Sequence, residues 1–184
     1  MPGSVGGDER HRLFLALLLP ADVVELLADW QSRELGGAGR TARIVPSENL
    51  HVTLAFLGWR PASELPAILG VLRHAAAGAE PLRLDVTGYR ETRSVGMLTL
   101  ADEEGAATAL AESLHADLAA LGVYRRESRP WRPHVTMLRF RERPRLRVEA
   151  PPLRWVSSDA AAFLSRLHPS GARYEMHDSF RLGG

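Results

Sequence analysis

The tetrapeptide His51-Val52-Thr53-Leu54 occurs a second time, 83 residues later, as His134-Val135-Thr136-Met137. In both copies the first and third residues are polar, and the second and fourth are apolar. Successive side chains of a strand point to opposite faces, so each copy predicts a strand with an imidazole and a hydroxyl on one face. A separation of 83 residues is too long for a solenoid repeat. It fits two related lobes that face each other across a cleft.

Outward from these two copies, hydrophobic spacing predicts a mixture of strands and helices. Helices are predicted over about 21–35, from a Ser63 cap through Leu72, and over Leu110–Leu121. The order lacks strict alternation of strand and helix, which favours the α+β class with largely antiparallel sheets. The predicted strands cover His11–Leu19, Thr41–Val45, His51–Gly58, Leu82–Tyr89, Met97–Ala101, His134–Arg139, Arg154–Ser158 and Tyr174–Leu182.

Length and composition indicate one soluble globular domain. The chain has 184 residues, of which 45% are hydrophobic and 24% charged, and we expect a single domain of two pseudo-symmetric lobes over 1–184, with residues 1–10 flexible. The absence of cysteine excludes disulfides, thiolate metal sites and a cysteine nucleophile. The Leu13–Pro20 run is too short to span a membrane, and the polar start does not resemble a signal peptide. A cytoplasmic location is therefore expected.

Basic residues are unevenly distributed along the chain. All 23 are arginine, which a GC-rich coding bias explains, and the net charge is only +1. Nine of them lie between Arg125 and Arg147, with only Glu127 and Glu142 as acids, so this window carries +7 and the remainder −6. Arginine binds phosphate oxygens in a bidentate manner, so the segment predicts a local anionic partner unless it serves only solubility.

Two strands of this pattern, brought together, place two imidazoles and two hydroxyls in one cleft. Histidine titrates near neutral pH, so one ring can accept a proton from water while the other donates one to a leaving oxygen. Threonine hydroxyls can donate to the non-bridging oxygens of a phosphate. The set therefore suits phosphodiester hydrolysis without a metal.

A lone His-x-Thr arises by chance, and a lone strand histidine is usually structural. The other histidines lack a matching pattern, and we interpret them as surface or packing residues; they are His11, His74, His115, His168 and His177. A zinc site is disfavoured, because catalytic zinc needs three protein ligands and no acid or cysteine lies close to either motif in sequence. No metal and no cofactor are predicted.

Four ordered blocks of sequence accompany the two motifs. They are Arg12–Leu17, Pro46–Gly58, Trp131–Thr136, and Phe163–Leu167 followed by Gly171–Glu175. These blocks resemble those of the LigT-like two-histidine phosphoesterases, and within them the RNA 2′,3′-cyclic phosphodiesterases, formerly named 2′-5′ RNA ligases. The resemblance covers nearly the whole chain and implies a bilobal α+β fold. Two mostly antiparallel sheets would face each other across a central cleft, with the helices outside.

The resemblance also implies an activity and roles for residues. The activity is hydrolysis of a terminal 2′,3′-cyclic phosphate on RNA to a 2′-phosphate, with His51 as proton donor and His134 as proton acceptor. Thr53 and Thr136 would bind phosphate oxygens. The implied partners are RNA ends or nucleotides that carry a 2′,3′-cyclic phosphate, and we expect a monomer without an obligatory protein partner. Reasoning from the residues supports the histidine pair but does not order it.

Two arginines near the second motif are further candidates for substrate binding. Arg132 directly precedes Pro133-His134 and is expected at the rim of the cleft. Arg139 lies five residues after His134, so ideal strand geometry turns it to the back of the sheet, the interpretation we favour slightly. It would reach a phosphate only if the strand bulged. Trp59 and Trp131 flank the motifs, and we favour packing over base stacking for both.

Several alternative functions remain open at this point. The same residues suit ligation or cleavage of 2′-5′ linkages, and hydrolysis of a small-molecule cyclic phosphate. A module that binds RNA without catalysis is a third alternative, which the two intact motifs disfavour.

Overall fold

The computed structural model describes residues 9–169 and 171–184, and within them it contains nine strands and three α-helices. Short 3₁₀ turns occur at Ser47–Asn49 and Ala62–Glu64. The predicted flexibility of residues 1–10 falls mostly outside the described residues, although Arg10 already belongs to the first strand. The strands are β1 Arg10–Leu17, β2 Ala42–Ile44, β3 Val52–Pro61, β4 Leu82–Glu91, β5 Val95–Ala101, β6 His134–Phe140, β7 Arg154–Ser157, β8 Asp159–His168 and β9 Gly171–Arg181. The helices are α1 Ala21–Glu34, α2 Leu65–Ala77 and α3 Ala106–Ala120.

All strand pairs are antiparallel, and the strands form one sheet in the order β7-β4-β5-β6-β3-β1-β8-β9, with β2 paired to β6. The two motif strands, β3 and β6, are neighbours in the middle, where one residue pair, Val52 and Val135, joins them. The predicted α+β class with antiparallel strands is confirmed. The two predicted sheets are halves of one sheet that meet at this narrow junction.

The main core lies on the side of the sheet that the helices cover. Helix α2 packs against β8 and β9, and α3 packs against β3 and β4. The apolar motif residues Val52 and Val135 belong to this core and are fully buried, as is Met137. The motif histidines and threonines must therefore point to the opposite face, because residues alternate along a strand.

Most element boundaries agree with the prediction within a few residues, but strand β8 was missed. Its segment Ala160–Ala162 has no polar alternation, because both faces are buried and small side chains let neighbouring layers approach closely. Strand β3 was predicted to end at Gly58, yet it continues to Pro61, with Gly58 at a φ of 68°. Ser63 lies within a 3₁₀ turn, and α2 begins at Leu65 rather than at a Ser63 cap.

Over residues 9–169 and 171–184, no helix is both long enough and apolar enough to cross a membrane.

Candidate active site

The junction between β3 and β6 brings the two His-x-Thr motifs side by side. Val52 lies opposite Val135, and the strands run antiparallel. One residue further in each direction, Thr53 therefore neighbours His134, and His51 neighbours Thr136. The four polar side chains alternate with buried valines, so they share the face that the core leaves open.

The ring of His51 is oriented by two hydrogen bonds. Its Nδ1 lies 2.7 Å from the backbone oxygen of Asn49, and its Nε2 lies 2.9 Å from Oγ1 of Thr53. A carbonyl oxygen only accepts, so Nδ1 carries a proton and donates it. In the neutral ring Nε2 is then the acceptor, and the Thr53 hydroxyl donates to it.

His134 repeats this arrangement in the second motif. Its Nδ1 lies 3.0 Å from the backbone oxygen of Arg132, again the residue two positions earlier. The same argument assigns the proton to Nδ1 and makes Nε2 the basic nitrogen of the neutral ring. Both motifs therefore fix the tautomer through their own backbone.

Aromatic rings surround His51 on the cleft floor. The ring centroids of Phe14 and Tyr174 lie 4.8 and 5.6 Å from that of His51, and Phe163 stacks on Phe14 at 5.1 Å. Burial among these groups lowers the pKa of His51 from 6.5 to about 4. The hydrogen bond to Asn49 opposes this shift, while the positive charge of Arg139 and the neighbouring His134 add to it. In the protein without a bound ligand, His51 is therefore neutral at pH 7.

A β-bulge in β6 turns Arg139 towards the motif face. Thr136 pairs with Met97 but Leu138 pairs with Gly96, so Met137 is an extra residue on β6. Met137 and Leu138 are consecutively buried, and the alternation restarts with Arg139 exposed. The favoured prediction that Arg139 covers the back of the sheet is wrong, because the bulge shifts the alternation by one residue. Its charge instead acts on His51.

The buried side chain of Gln31 on α1 holds this bulge. Its Nε2 donates to the backbone oxygens of Met137 and Val45, both at 3.0 Å. The Met137 oxygen also accepts the backbone N–H of Val45. Gln31 thus adds a second hydrogen bond to the Met137 oxygen and satisfies the Val45 oxygen, which lies just beyond the end of β2.

Two grooves leave the cleft. The His134 groove, of about 480 Å³, contains Thr53, Phe56, Trp131, Arg132 and His134 in its lining. Arg132 is exposed there.

The second groove, of about 770 Å³, is lined by Arg43, Arg139, Arg141 and Arg173, and we call it the arginine groove. Asn49 and Tyr174 also line it, and both contact His51.

The part of β3 next to the junction is held by side chains of the other half. Trp131 Nε1 donates to the backbone oxygen of Thr53 at 2.9 Å, and His115 Nε2 lies 2.8 Å from the backbone oxygen of Leu54. Trp131 also packs against the core, as predicted, and His115 is buried, in keeping with its packing interpretation. Trp59 differs from its packing prediction, because it is 51% exposed.

Sequence reasoning missed several neighbours of the motifs. Asn49 lies in the 3₁₀ turn before β3 and contacts His51 through its backbone oxygen, which no pattern of residue types reveals. Phe14 and Tyr174 come from strands distant in sequence, and no local signal connects them to His51. Among the described residues, no group of three or more His, Asp or Glu is placed to hold a metal ion.

A family model described as the 2′-5′ RNA ligase superfamily matches residues 19–167, and the chain belongs to this family. A curated relative, RNA 2′,3′-cyclic phosphodiesterase of Thermus thermophilus, is 34% identical over 94% of this chain and 91% of its own length. The Escherichia coli protein of the same name is 31% identical over 72% of this chain and 73% of its own. A crystal structure of a Thermus thermophilus protein superposes with a TM-score of 0.82, at 31% identity, covering 94% of this chain and 98% of that one.

Proposed function

We propose that this protein is an RNA 2′,3′-cyclic phosphodiesterase that converts a terminal cyclic phosphate to a 2′-phosphate without a metal. The observation that carries the proposal is the antiparallel junction, which sets the two histidines and two threonines on one face. The curated relatives of that name, similar over most of the chain, support the substrate class.

The reaction divides between the two rings. Water attacks phosphorus and gives a proton to Nε2 of neutral His134, since Nδ1 of that ring is already bonded to a carbonyl. The bond between phosphorus and the 3′ oxygen breaks, and that oxygen takes a proton from Nε2 of protonated His51. The products are a 2′-phosphate and a free 3′ hydroxyl, and both histidines then exchange protons with solvent.

The donor role of His51 requires the substrate to raise its pKa. Burial keeps this ring neutral in the free enzyme, with a pKa of about 4. A cyclic phosphate is an anion, and an anion close to Nε2 favours the imidazolium and offsets the charge of Arg139. Substrate binding and protonation of the donor are therefore coupled, so His51 becomes an acid only when the substrate is bound.

The remaining site residues bind the phosphate in this proposal. Thr53 and Thr136 donate to its non-bridging oxygens, where charge increases in the transition state. Thr53 must then turn its hydroxyl from His51 Nε2 to the substrate. Arg139, which the bulge places on the motif face, and Arg132, on the rim of the His134 groove, neutralise the anion.

Product analysis tests the proposal. An RNA oligomer with a terminal 2′,3′-cyclic phosphate is incubated with the protein in EDTA, and the end group is identified by phosphatase sensitivity and mass. We expect conversion to a 2′-phosphate. No conversion, or conversion only with added metal, would overturn the proposal; a longer product with a 5′-hydroxyl acceptor RNA would indicate ligation instead.

Three further properties belong to the same proposal. We place the reaction in the cytoplasm, carried out by a monomer without an obligatory protein partner. We also regard the two halves of the sheet as pseudo-symmetric lobes of one domain, each contributing one His-x-Thr strand. Each lobe would supply one of the two proton-transfer groups.

A further inference from the structure

The arginine groove contains positive charges that its own residues do not neutralise. Arg43 on β2 lies directly opposite Arg139 on β6, and like charges in this position destabilise a strand pair. Neither of them, nor Arg141 or Arg173, forms an ion pair with a described residue. A polyanion bound along the groove would offset this repulsion.

Three separate segments form this charged surface. Arg43 extends against the turn between β8 and β9. The Nη1 atom of Arg43 lies so close to Gly171 that a Cβ atom added to this glycine would be only 3.0 Å away. Arg173 follows this turn on β9, so arginines from β2, β6 and β9 line one groove. Glu48, the acid in the lining, forms no ion pair with any of them.

The His134 groove has a different character. Four arginines line it as well, but they share the lining with two acids, Glu112 and Glu127, and Arg126 pairs with Glu112. Aromatic and apolar groups such as Phe56 and Tyr124 also line it. This mixture suits a nucleobase better than a run of phosphates.

The arginine groove begins at His51, because Asn49 and Tyr174 both line it and contact that ring. A cyclic phosphate ends the RNA, so the chain can leave the site only on its 5′ side. We infer that the arginine groove binds the phosphodiester backbone 5′ to the terminal nucleotide, so that the enzyme favours RNA oligomers over cyclic mononucleotides. This inference rests on the proposed function and names its substrate class.

The test compares two substrates in one variant. Arg43→Gln/Arg173→Gln changes the groove and leaves the histidines and Arg139 intact. Turnover of 2′,3′-cyclic AMP is measured beside that of an RNA octamer ending in a 2′,3′-cyclic phosphate. We expect the fold decrease in kcat/KM that the variant shows to be about ten times larger for the octamer than for the mononucleotide. The salt dependence of octamer turnover should also become shallower, by about 0.7 in slope for each lost phosphate contact.

A matched control removes two arginines elsewhere. Arg33→Gln/Arg147→Gln has the same change in net charge, and both residues are exposed and line neither groove. Equal losses on the two substrates, or an equal octamer loss in the control, would overturn the inference.

Binding distinguishes failure of this inference from failure of the proposed function. Fluorescence anisotropy with a labelled RNA octamer that lacks the cyclic phosphate reports on the groove alone. If the wild-type protein turns over neither substrate, the proposed activity fails. In that case the groove inference is supported if Arg43→Gln/Arg173→Gln binds the octamer more weakly than the control variant does. It is overturned if the two variants bind the octamer equally.

Discussion

At the scale of single residues, the two histidines share a bonding pattern but differ in environment. Both rings donate from Nδ1 to the backbone oxygen two residues earlier. His51 alone is enclosed by Phe14, Phe163 and Tyr174, and its pKa falls to about 4. Identical motifs therefore place their two imidazole rings in different surroundings.

Single substitutions and a changed leaving group test which histidine is the donor. His51→Ala and His134→Ala should each lower turnover of the cyclic substrate by about 10²–10⁴-fold. With sulfur in place of the leaving 3′ oxygen, the leaving thiolate needs no proton. On that substrate, we expect His51→Ala to recover most of its lost rate and His134→Ala to recover little. Recovery in His134→Ala alone would reverse the assignment, and near wild-type activity of either variant would contradict the mechanism.

The lowered pKa of His51 also predicts a dependence of stability on pH. Between pH 6.5 and about 4 the unfolded chain binds a proton at His51 that the folded protein does not, so the free energy of unfolding falls as pH falls through this window. The full effect is up to about 3 kcal/mol and is complete below pH 4. Denaturant unfolding of wild type and His51→Gln at pH 7 and pH 4 isolates the contribution of His51, because the titrating carboxylates are the same in the two proteins. Parallel pH dependence in the two proteins would show that His51 is not buried as described.

At the scale of secondary-structure elements, the bulge in β6 decides which arginine faces the motifs. The extra residue Met137 moves Arg139 from the back of the sheet to the front. A helix contacts this bulge, because Gln31 of α1 donates to the Met137 oxygen. A position in the first helix is thus connected to the strand segment that carries Arg139.

Substitution of Gln31 tests this connection. Gln31→Met keeps the volume but removes both donors, so we expect a loss of about 2 kcal/mol of stability and a fall in kcat/KM. In the Arg139→Gln variant, Gln31→Met should cause little further loss of activity, since the two residues act through one contact. Ser157→Ala, which removes hydrogen bonds with Leu18 and Trp155 elsewhere in the fold, is the control for destabilisation alone. Additive effects of Gln31→Met and Arg139→Gln would contradict the proposed connection.

At the scale of the whole molecule, the two halves of the sheet meet through very few bonds. One strand pair joins β3 to β6, and Trp131 and His115 add side-chain bonds to consecutive carbonyls of β3. Trp131 precedes the second motif and bonds to Thr53 of the first. The distance between the two motif histidines therefore depends on contacts that join the halves.

Removal of the Trp131 bond should affect catalysis more than stability. Trp131→Phe keeps an aromatic ring in the core but loses the donor to Thr53, and small misplacements of reacting groups cost up to about 10²-fold in rate. We expect kcat to fall by about tenfold or more, with KM changed less. Trp30→Phe loses an equivalent indole bond, to the backbone of Glu149, and is the matched control. An equal fall in kcat in both variants would mean that Trp131 has only a structural role.

The sequence by itself determined the class of fold, the two motif strands and the face that each histidine occupies, because strand periodicity is local and needs no knowledge of distant residues. It could not reveal β8, whose burial on both faces removes the alternation, or the orientation of Arg139, which depends on a bulge held by Gln31. The arginine-rich segment 125–147 is local in sequence, but tertiary structure divides it. Arg126 and Arg132 line one groove, and Arg139 and Arg141 join Arg43 and Arg173 in the other. Electrostatic fields depend on distance in space, so only the folded chain decides which charges act together.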